Sequence, residues 1–413
     1  MISNSFGQNF TIKKISKFFS AVVVVGVISI IGNYLFSSSH AAGPYTNSYS
    51  STGILSGNSN LIPDSNISSG QAVQFGSSPS PSSFVSASGT NLMLNGNIWK
   101  FIGFNAYGME GCWNGTAGKA WTNAELDTYF SGLPPNGLTR IWAEQVFGTS
   151  NITNIVAQAT KYNQHLILSI GNDDGNCNPT TDDPNQTGEP LSFYQGGWQT
   201  QYVGWVNQIV PLFADNPTVA MWEIANEPGQ ATAVPEATMA TYMSGAAAAI
   251  KAVDPNQLIE SGFNYDGNAN NQNSGNLADY EAVQNSPNIN VISFHDYSYD
   301  YENKATLSGG FTNAQKASVA LNKPFIAGEA GVEAGDSTCT NYLTQSQRVT
   351  FFQTKANDYL SGIGPSGAGS PDASGIMFWV YEPEGSGAIC AQNNYDITVG
   401  DPVLTFVQNY VAP

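Results

Sequence analysis

Positive charge is what this 413-residue chain lacks most: 13 Lys and Arg stand against 31 Asp and Glu, a formal net charge of −18. So few cations leave no electrostatic footprint for DNA or RNA, whose binding depends on neutralising phosphates. Cysteine is nearly as scarce. Cys112, Cys177, Cys339 and Cys390 contain no C-x-x-C spacing, which argues against a structural zinc site. Histidine occurs three times, and His295 has no second histidine with which to share a metal. The acidic run Asp173-Asp174-Gly175-Asn176 lacks the spaced ligands and terminal Glu of an EF-hand loop, so it reads as a plain loop. A glycine-rich phosphate loop is missing too, since the first strand-like run closes on Gly103-Phe104-Asn105-Ala106-Tyr107. Neither a metal nor an organic cofactor is expected.

Aromatic residues, by contrast, are plentiful. Eight Trp, 19 Tyr and many Asn suit a neutral polysaccharide, which is held by flat apolar faces and hydrogen bonds rather than by charge.

The N-terminus has the order basic, apolar, small. Lys13, Lys14 and Lys17 precede an uncharged run from Phe18 to Phe36, and Ser37-Ser38-Ser39-His40-Ala41-Ala42-Gly43 follows. Residues 1–41 read as an export signal cleaved near Ala41. The alternative is an uncleaved anchor, but Gly26, Ser29, Gly32 and Asn33 dilute the apolar run. Either way the folded part is expected outside the cytoplasm, as a secreted protein without stable membrane association once the signal is removed. An even cysteine count then favours two disulfides among three possible connectivities. Residues 42–83, rich in Ser, Gly, Asn and Pro, read as a flexible linker. Residues 84–413 are expected to form one catalytic domain.

Within it, after a hairpin-like start at Leu92–Gly96, short β-branched and aromatic runs alternate with longer helical patterns. The runs are Phe101–Tyr107, Gly137–Trp142, His165–Gly171, Thr218–Ile224, Gln257–Phe263, Asn290–His295, Pro324–Glu329 and Gly375–Tyr381. Apolar spacing of three and four marks Thr122–Leu133 and Tyr342–Leu360, and Val403–Val411 reads as a final helix. Eight strand–helix repeats over roughly 320 residues predict an α/β protein with a (β/α)8 TIM barrel. In that fold Cys339 and Cys390 fall on adjacent loops, so Cys112–Cys177 and Cys339–Cys390 are the preferred pairs. His165 opens a strand, at the end of the barrel that serves stability.

Two apolar runs each deliver a glutamate to a strand end. Met221-Trp222-Glu223-Ile224-Ala225-Asn226-Glu227-Pro228 is one, and Pro324-Phe325-Ile326-Ala327-Gly328-Glu329-Ala330-Gly331 is the other. Two carboxylates on separate strand ends are what attack on a glycosidic bond requires. The other strand ends offer Asn105, Arg140, Trp142, His295, Tyr297 and Trp379. This order of motifs resembles the retaining glycoside hydrolases of the (β/α)8 clan, most of all family 5, the cellulases and mannanases, over roughly residues 92–413.

By that resemblance Glu227 is the general acid/base and Glu329 the nucleophile. Arg140 is expected to keep Glu329 ionised, with a hydrogen bond from Tyr297, so that Glu227 holds the proton. The resemblance implies substrate contacts from Asn105, Asn226, His295 and Tyr297, and a sugar-stacking floor at Trp379. Arg140-Ile141-Trp142 resembles the Arg-x-Trp of mannanases, which favours β-1,4-mannan, with β-1,4-glucan close behind. Trp113 and Trp121 are candidates for outer subsites, and Glu382 and Glu384 for subsites or a solvated loop. Two departures bear on specificity: Ala330 stands where many relatives carry Phe, and Gly229 stands where mannanases carry a basic residue. The expected protein is a monomeric endo-β-glycanase acting on a plant-type polysaccharide. A transglycosylase shares the same intermediate, and a non-catalytic sugar-binding scaffold would have lost one of the glutamates.

Overall fold

The computed structural model describes residues 59–63, 71–75, 84–112, 119–171, 189–229, 232–264, 277–297, 309–335, 343–361, 370–383 and 395–411. The expected export signal lies outside them. The chain divides into two units, Met1–Gly76 and Ser77–Pro413. In the first, Ser59–Pro63 and Gln71–Phe75 pair antiparallel, so the stretch read as a linker carries a two-stranded ribbon. Among the described residues no helix is long and apolar enough to cross a membrane.

The second unit opens with three short antiparallel strands, Ser86–Ser88, Asn91–Leu94 and Asn97–Ile98. Asn95 and Gly96, both at positive φ (53° and 81°), make the tight turn between the last two, as Asn-Gly pairs do in hairpins. Leu92 and Leu94 pack with Trp99, Phe101, Leu138 and Met377 in one buried cluster, which closes the N-terminal end of the barrel. His165 lies at this end. Its Nδ1 is 3.1 Å from the Pro217 carbonyl, and burial lowers its pKa.

Eight parallel strands form the barrel: β1 Phe101–Asn105, β2 Leu138–Trp142, β3 His165–Ser169, β4 Val219–Glu223, β5 Leu258–Glu260, β6 Ile292–Asp296, β7 Phe325–Gly331 and β8 Gly375–Trp379. Their order is β5-β4-β3-β2-β1-β8-β7-β6. A parallel bridge from Glu260 to Val291 joins β5 to the start of β6 and closes the ring. The strands are buried along nearly their whole length, which is why they read as unbroken apolar runs.

Caps account for most differences between the expected and observed helix ends. Thr122 and Glu125 form a capping box, so α1 runs Asn123–Gly132. Helices α2 Ser150–Lys161, α3 Gln201–Ile209, α4 Glu236–Val253, α5 Leu277–Gln284 and α6 Gly309–Leu321 follow. Leu343–Thr344 pairs with Ala334–Gly335 as a short strand, so α7 begins at Gln345 and runs to Leu360, capped by Thr344 and Gln347. The Asp401 carboxylate caps α8, Pro402–Gln408. β5 is shorter than expected because Gly262 (φ 67°) turns the chain there, where a Cβ would fall 1.9 Å from the Ala225 carbonyl oxygen.

β7 contains one extra residue. Phe294 pairs with Ala327 and His295 with Glu329, while on the other side Ala327 and Ala330 pair with Ile376 and Phe378. The inserted residue is Gly328. A Cβ at this position would lie 2.6 Å from Ser293 Oγ and 3.1 Å from His295 Nε2, so only glycine fits the bulge.

Candidate active site

The strand ends gather their polar side chains around Arg140. Its Cα lies opposite Asn105, and both side chains are wholly buried. All five guanidinium donors are spent. Nε and one Nη2 hydrogen go to Glu223, at 2.5 and 2.7 Å, and the other Nη2 hydrogen goes to Asn226 Oδ1 at 2.8 Å. Nη1 donates to Asn105 Oδ1 at 2.7 Å and to Glu329 Oε1 at 2.8 Å. The fork geometry of arginine is what lets one residue orient four partners. Burial works against the guanidinium's charge, yet Glu223 and Glu329 raise its pKa further.

Glu329, at the bulge, also receives the Tyr297 hydroxyl on Oε2. Burial pushes its carboxyl above the usual range, helped by the charge of Glu227, while His295, Arg140 and the Tyr297 hydroxyl pull it back. The Tyr297 phenol is pushed well above its own range by burial and by the two glutamates, so it stays a donor. Tyr297 is directed inward because Asp296, its neighbour in sequence, is anchored outward to Lys355 and Tyr359 of α7.

Glu227 follows β4 in the left-handed region, at φ 45°. Such a conformation is strained for a non-glycine residue and needs support from its surroundings. The support is two backbone bonds: Asn226 N–H to Gly171 O at 2.8 Å and Glu227 N–H to Gly262 O at 3.0 Å. Its Oε1 accepts from Asn264 Nδ2 at 2.8 Å and lies 2.6 Å from His295 Nδ1. His295 Nδ1 is also 3.5 Å from Glu329 Oε2. One oxygen of each glutamate and a ring nitrogen of His295 thus lie within 4.8 Å of one another.

Above this centre stands an aromatic wall. Trp379 and Tyr107, both half-buried, stack at 5.0 Å with an 11° tilt. Trp142 is only 2% exposed and sits behind them, with Tyr107 at 5.9 Å and Arg140 Cζ 4.5 Å from its ring centre. The Trp379–Val380 peptide is cis.

Of the residues singled out in the sequence, Glu227, Glu329, Arg140, Asn226, His295 and Tyr297 meet in one hydrogen-bonded set, with Trp379 beside it. Asn105 is turned to protein groups, donating to Gly328 O at 3.0 Å and accepting from Arg140. Trp121 does not line a subsite, because it packs edge-on against Tyr129 and Tyr381 in the core. Glu382 is not on a solvated loop. Burial, and then Asp396, raise its pKa to about 8. Cys112 is disulfide-bonded. Cys177, Cys339, Cys390, Trp113, Glu384 and the Asp173 loop lie outside the described residues, and so does the choice of disulfide pairing.

Glu223, Glu260 and Asn264 escaped the sequence reading. Glu223 had a signal: a glutamate inside an apolar strand, four residues before Glu227, must be paired if it is buried. Asn264 follows the shortest strand and offered none.

The family model for glycosyl hydrolase family 5, described as cellulase, matches residues 128–361. The chain is 24% identical over 304 residues to mannan endo-1,4-beta-mannosidase A of Hypocrea jecorina, spanning 64% of this chain and 66% of that one. It is 26% identical over 354 residues to mannan endo-1,4-beta-mannosidase 3 of Arabidopsis thaliana, spanning 73% and 82%. Among solved structures, an endo-1,4-beta-mannanase from Rhizomucor miehei superposes with a TM-score of 0.54 at 18% identity, over 78% of this chain and 97% of that one. An endo-beta-1,4-mannanase from Thermotoga petrophila gives 0.54 at 17% identity, over 76% and 77%. At such identities the structural likeness establishes the barrel fold.

Proposed function

The chain belongs to glycosyl hydrolase family 5, and from that premise we propose that it is a retaining endo-β-glycanase cutting the backbone of β-1,4-mannan. The observation that carries the mechanism is the closeness of the two carboxyl groups, with oxygens of Glu227 and Glu329 within 4.8 Å. Inversion needs roughly 6.5–9.5 Å to seat a water between carboxyl and sugar, whereas retention works at about 5–5.5 Å.

Glu329 attacks the anomeric carbon while Glu227 protonates the departing oxygen. A covalent glycosyl-enzyme forms, and water activated by Glu227 then releases it. Arg140 and Tyr297 supply the donors that keep the Glu329 oxygens aimed and, with His295, oppose the upward push of burial on its pKa. Asn264 and His295 orient Glu227 through its Oε1. Asn226, fixed by Arg140, is placed to meet the 2-hydroxyl of the sugar, a contact that strengthens in the transition state. Trp379 forms the floor on which the pyranose stacks.

Mannan is favoured by the mannanase relatives and by Arg140-Ile141-Trp142. Action outside the cell is supported by the basic, apolar and small N-terminal segments and by the disulfide at Cys112. The test is a product profile from mannohexaose and cellohexaose, with Glu329→Ala as the blank. Internal cleavage of the mannan oligomer alone is the expected result. Cleavage of the glucan oligomer alone would make the enzyme a cellulase. Products longer than the substrate would make it a transglycosylase.

A further inference from the structure

Glu223 and Glu260 sit opposite each other on β4 and β5, both wholly buried, beneath the catalytic carboxyl groups. Glu223 is fully engaged, accepting two bonds from Arg140 and one from Ser169 Oγ at 2.6 Å. Glu260 accepts from Gly262 N–H at 3.0 Å on Oε1, while its Oε2 is buried without a well-formed hydrogen bond and the Ser293 hydroxyl and Glu223 carboxyl are its polar neighbours. Gly262 borders both side chains, since its N–H bonds Glu260 and a Cβ there would stand 2.9 Å from Glu223 Cγ. Two ionised carboxylates in this contact would repel each other, and a poorly satisfied acceptor would be stranded in the dry interior. A proton on Glu260 removes both difficulties, because its carboxyl then donates to Glu223.

We propose that Glu260 shares a proton with Glu223, and that this pair is the positioning device that fixes the Arg140 guanidinium and, through it, Glu329 and Asn226. The inference rests on the retaining reading of the site but not on which glycan is cut. Charge balance supports it. Around the pair stand Arg140 from β2, Ser169 from β3, Ser293 from β6, Glu329 from β7 and Tyr202 from α3. Of these only Arg140 is a cation, and it already faces Glu223 and Glu329. Burial, then the charge of Glu223, pushes the Glu260 carboxyl well above its usual range. Although burial opposes it, Arg140 keeps Glu223 below its own. The Tyr202 phenol, raised by burial, is neutral and donates to Ile224 O.

The test uses the full chain and three variants. Glu260→Gln keeps a neutral donor beside Glu223, so kcat should stay within about threefold of wild type, with the same pH profile. Glu260→Ala removes the donor and loosens Glu223; kcat should fall about tenfold or more while KM moves little. Glu223→Gln leaves Glu329 as the sole ionised partner of Arg140, so the acid limb of kcat/KM should move to lower pH as kcat drops. Infrared spectra give a readout that needs no substrate. At neutral pH a wild-type minus Glu260→Gln difference spectrum should show a carboxylic-acid C=O stretch beyond those of Glu110, Glu227 and Glu382, whether or not Glu260→Ala folds. Absence of that band from the difference spectrum would refute the shared proton. A Glu223→Gln enzyme with wild-type kcat and acid limb would remove the positioning role. A wild type inactive on every β-glycan would overturn the retaining reading, and the infrared band would still decide the proton.

Discussion

Arg140 and Glu329 meet through a 2.8 Å hydrogen bond between side chains that are 0% and 3% exposed. In so dry a place an ion pair is favourable only when every remaining donor is satisfied. Arg140 meets that condition with four protein partners. Arg140→Lys would keep the charge and lose the fork, leaving three N–H donors for the five acceptor contacts now made. The expected loss is roughly 1–3 kcal/mol in unfolding free energy by denaturant titration. A larger fall in kcat than this loss explains would show that the fork serves the chemistry as well as the fold.

Glu329→Ala should cut turnover on the polysaccharide by at least about a thousandfold, since the covalent intermediate cannot form. Arg140 keeps Glu223 as its counter-charge, so circular dichroism should report an intact fold. Residual turnover near the wild-type level would take the nucleophile role away from Glu329.

Glu227→Ala should separate substrates by leaving group. Activated aryl glycosides need little protonation in the first step, so their glycosylation should suffer far less than that of the polysaccharide. Equal losses on both would argue against Glu227 as the acid.

Gly328→Ala tests the bulge. The added methyl group meets Ser293 Oγ and His295 Nε2 at 2.6 and 3.1 Å, so His295 must shift and disturb Glu227. A destabilisation of about 1–3 kcal/mol is expected, with kcat falling more steeply than kcat falls for Ala substitutions elsewhere on β7. An unchanged kcat would mean that the strand relaxes without moving His295.

Stability should decline from acid toward neutral pH. Glu382 has an ordinary pKa of 4.5 unfolded and one of about 8 folded, so the folded chain holds the extra proton in between. Its contribution is complete below about 4.5 and is lost as the pH passes through 8. Burial shifts Glu110 and Glu260 in the same direction. Melting temperatures should therefore drop over this window in wild type, and less so in Glu382→Gln. A variant curve parallel to wild type would place the effect on other groups.

The barrel and the two glutamates at its strand ends were legible in the sequence because both are written in local pattern. Buried parallel strands must be apolar along their length, and a polar residue at the end of such a run is conspicuous, as with Glu227 and Glu329. The caps at Thr122 and Thr344 are equally local. What depends on long-range approach was not legible. Glu260 gains its meaning from Glu223 on the neighbouring strand, and Asn105 is directed at Arg140 rather than at a sugar because of contacts 35 residues apart. Trp121 was misplaced, and the solvated-loop alternative for Glu382 failed, for the same reason: loop residues are buried or exposed by whatever packs over them.

The extra residue in β7 has a consequence for phase. Side chains on a strand alternate sides, and Ile326 points into the barrel while Ala327 packs outward among the helices. Unbroken alternation would then turn Glu329 outward and Ala330 inward. Gly328 shifts the frame by one, so that Ala330 joins the outer layer and the glutamate faces the cleft. One strand thus carries two reading frames, the first serving the core and the second serving the cleft. Packing changes upstream of the shift can accumulate without reversing Glu329, which is oriented by the second frame alone.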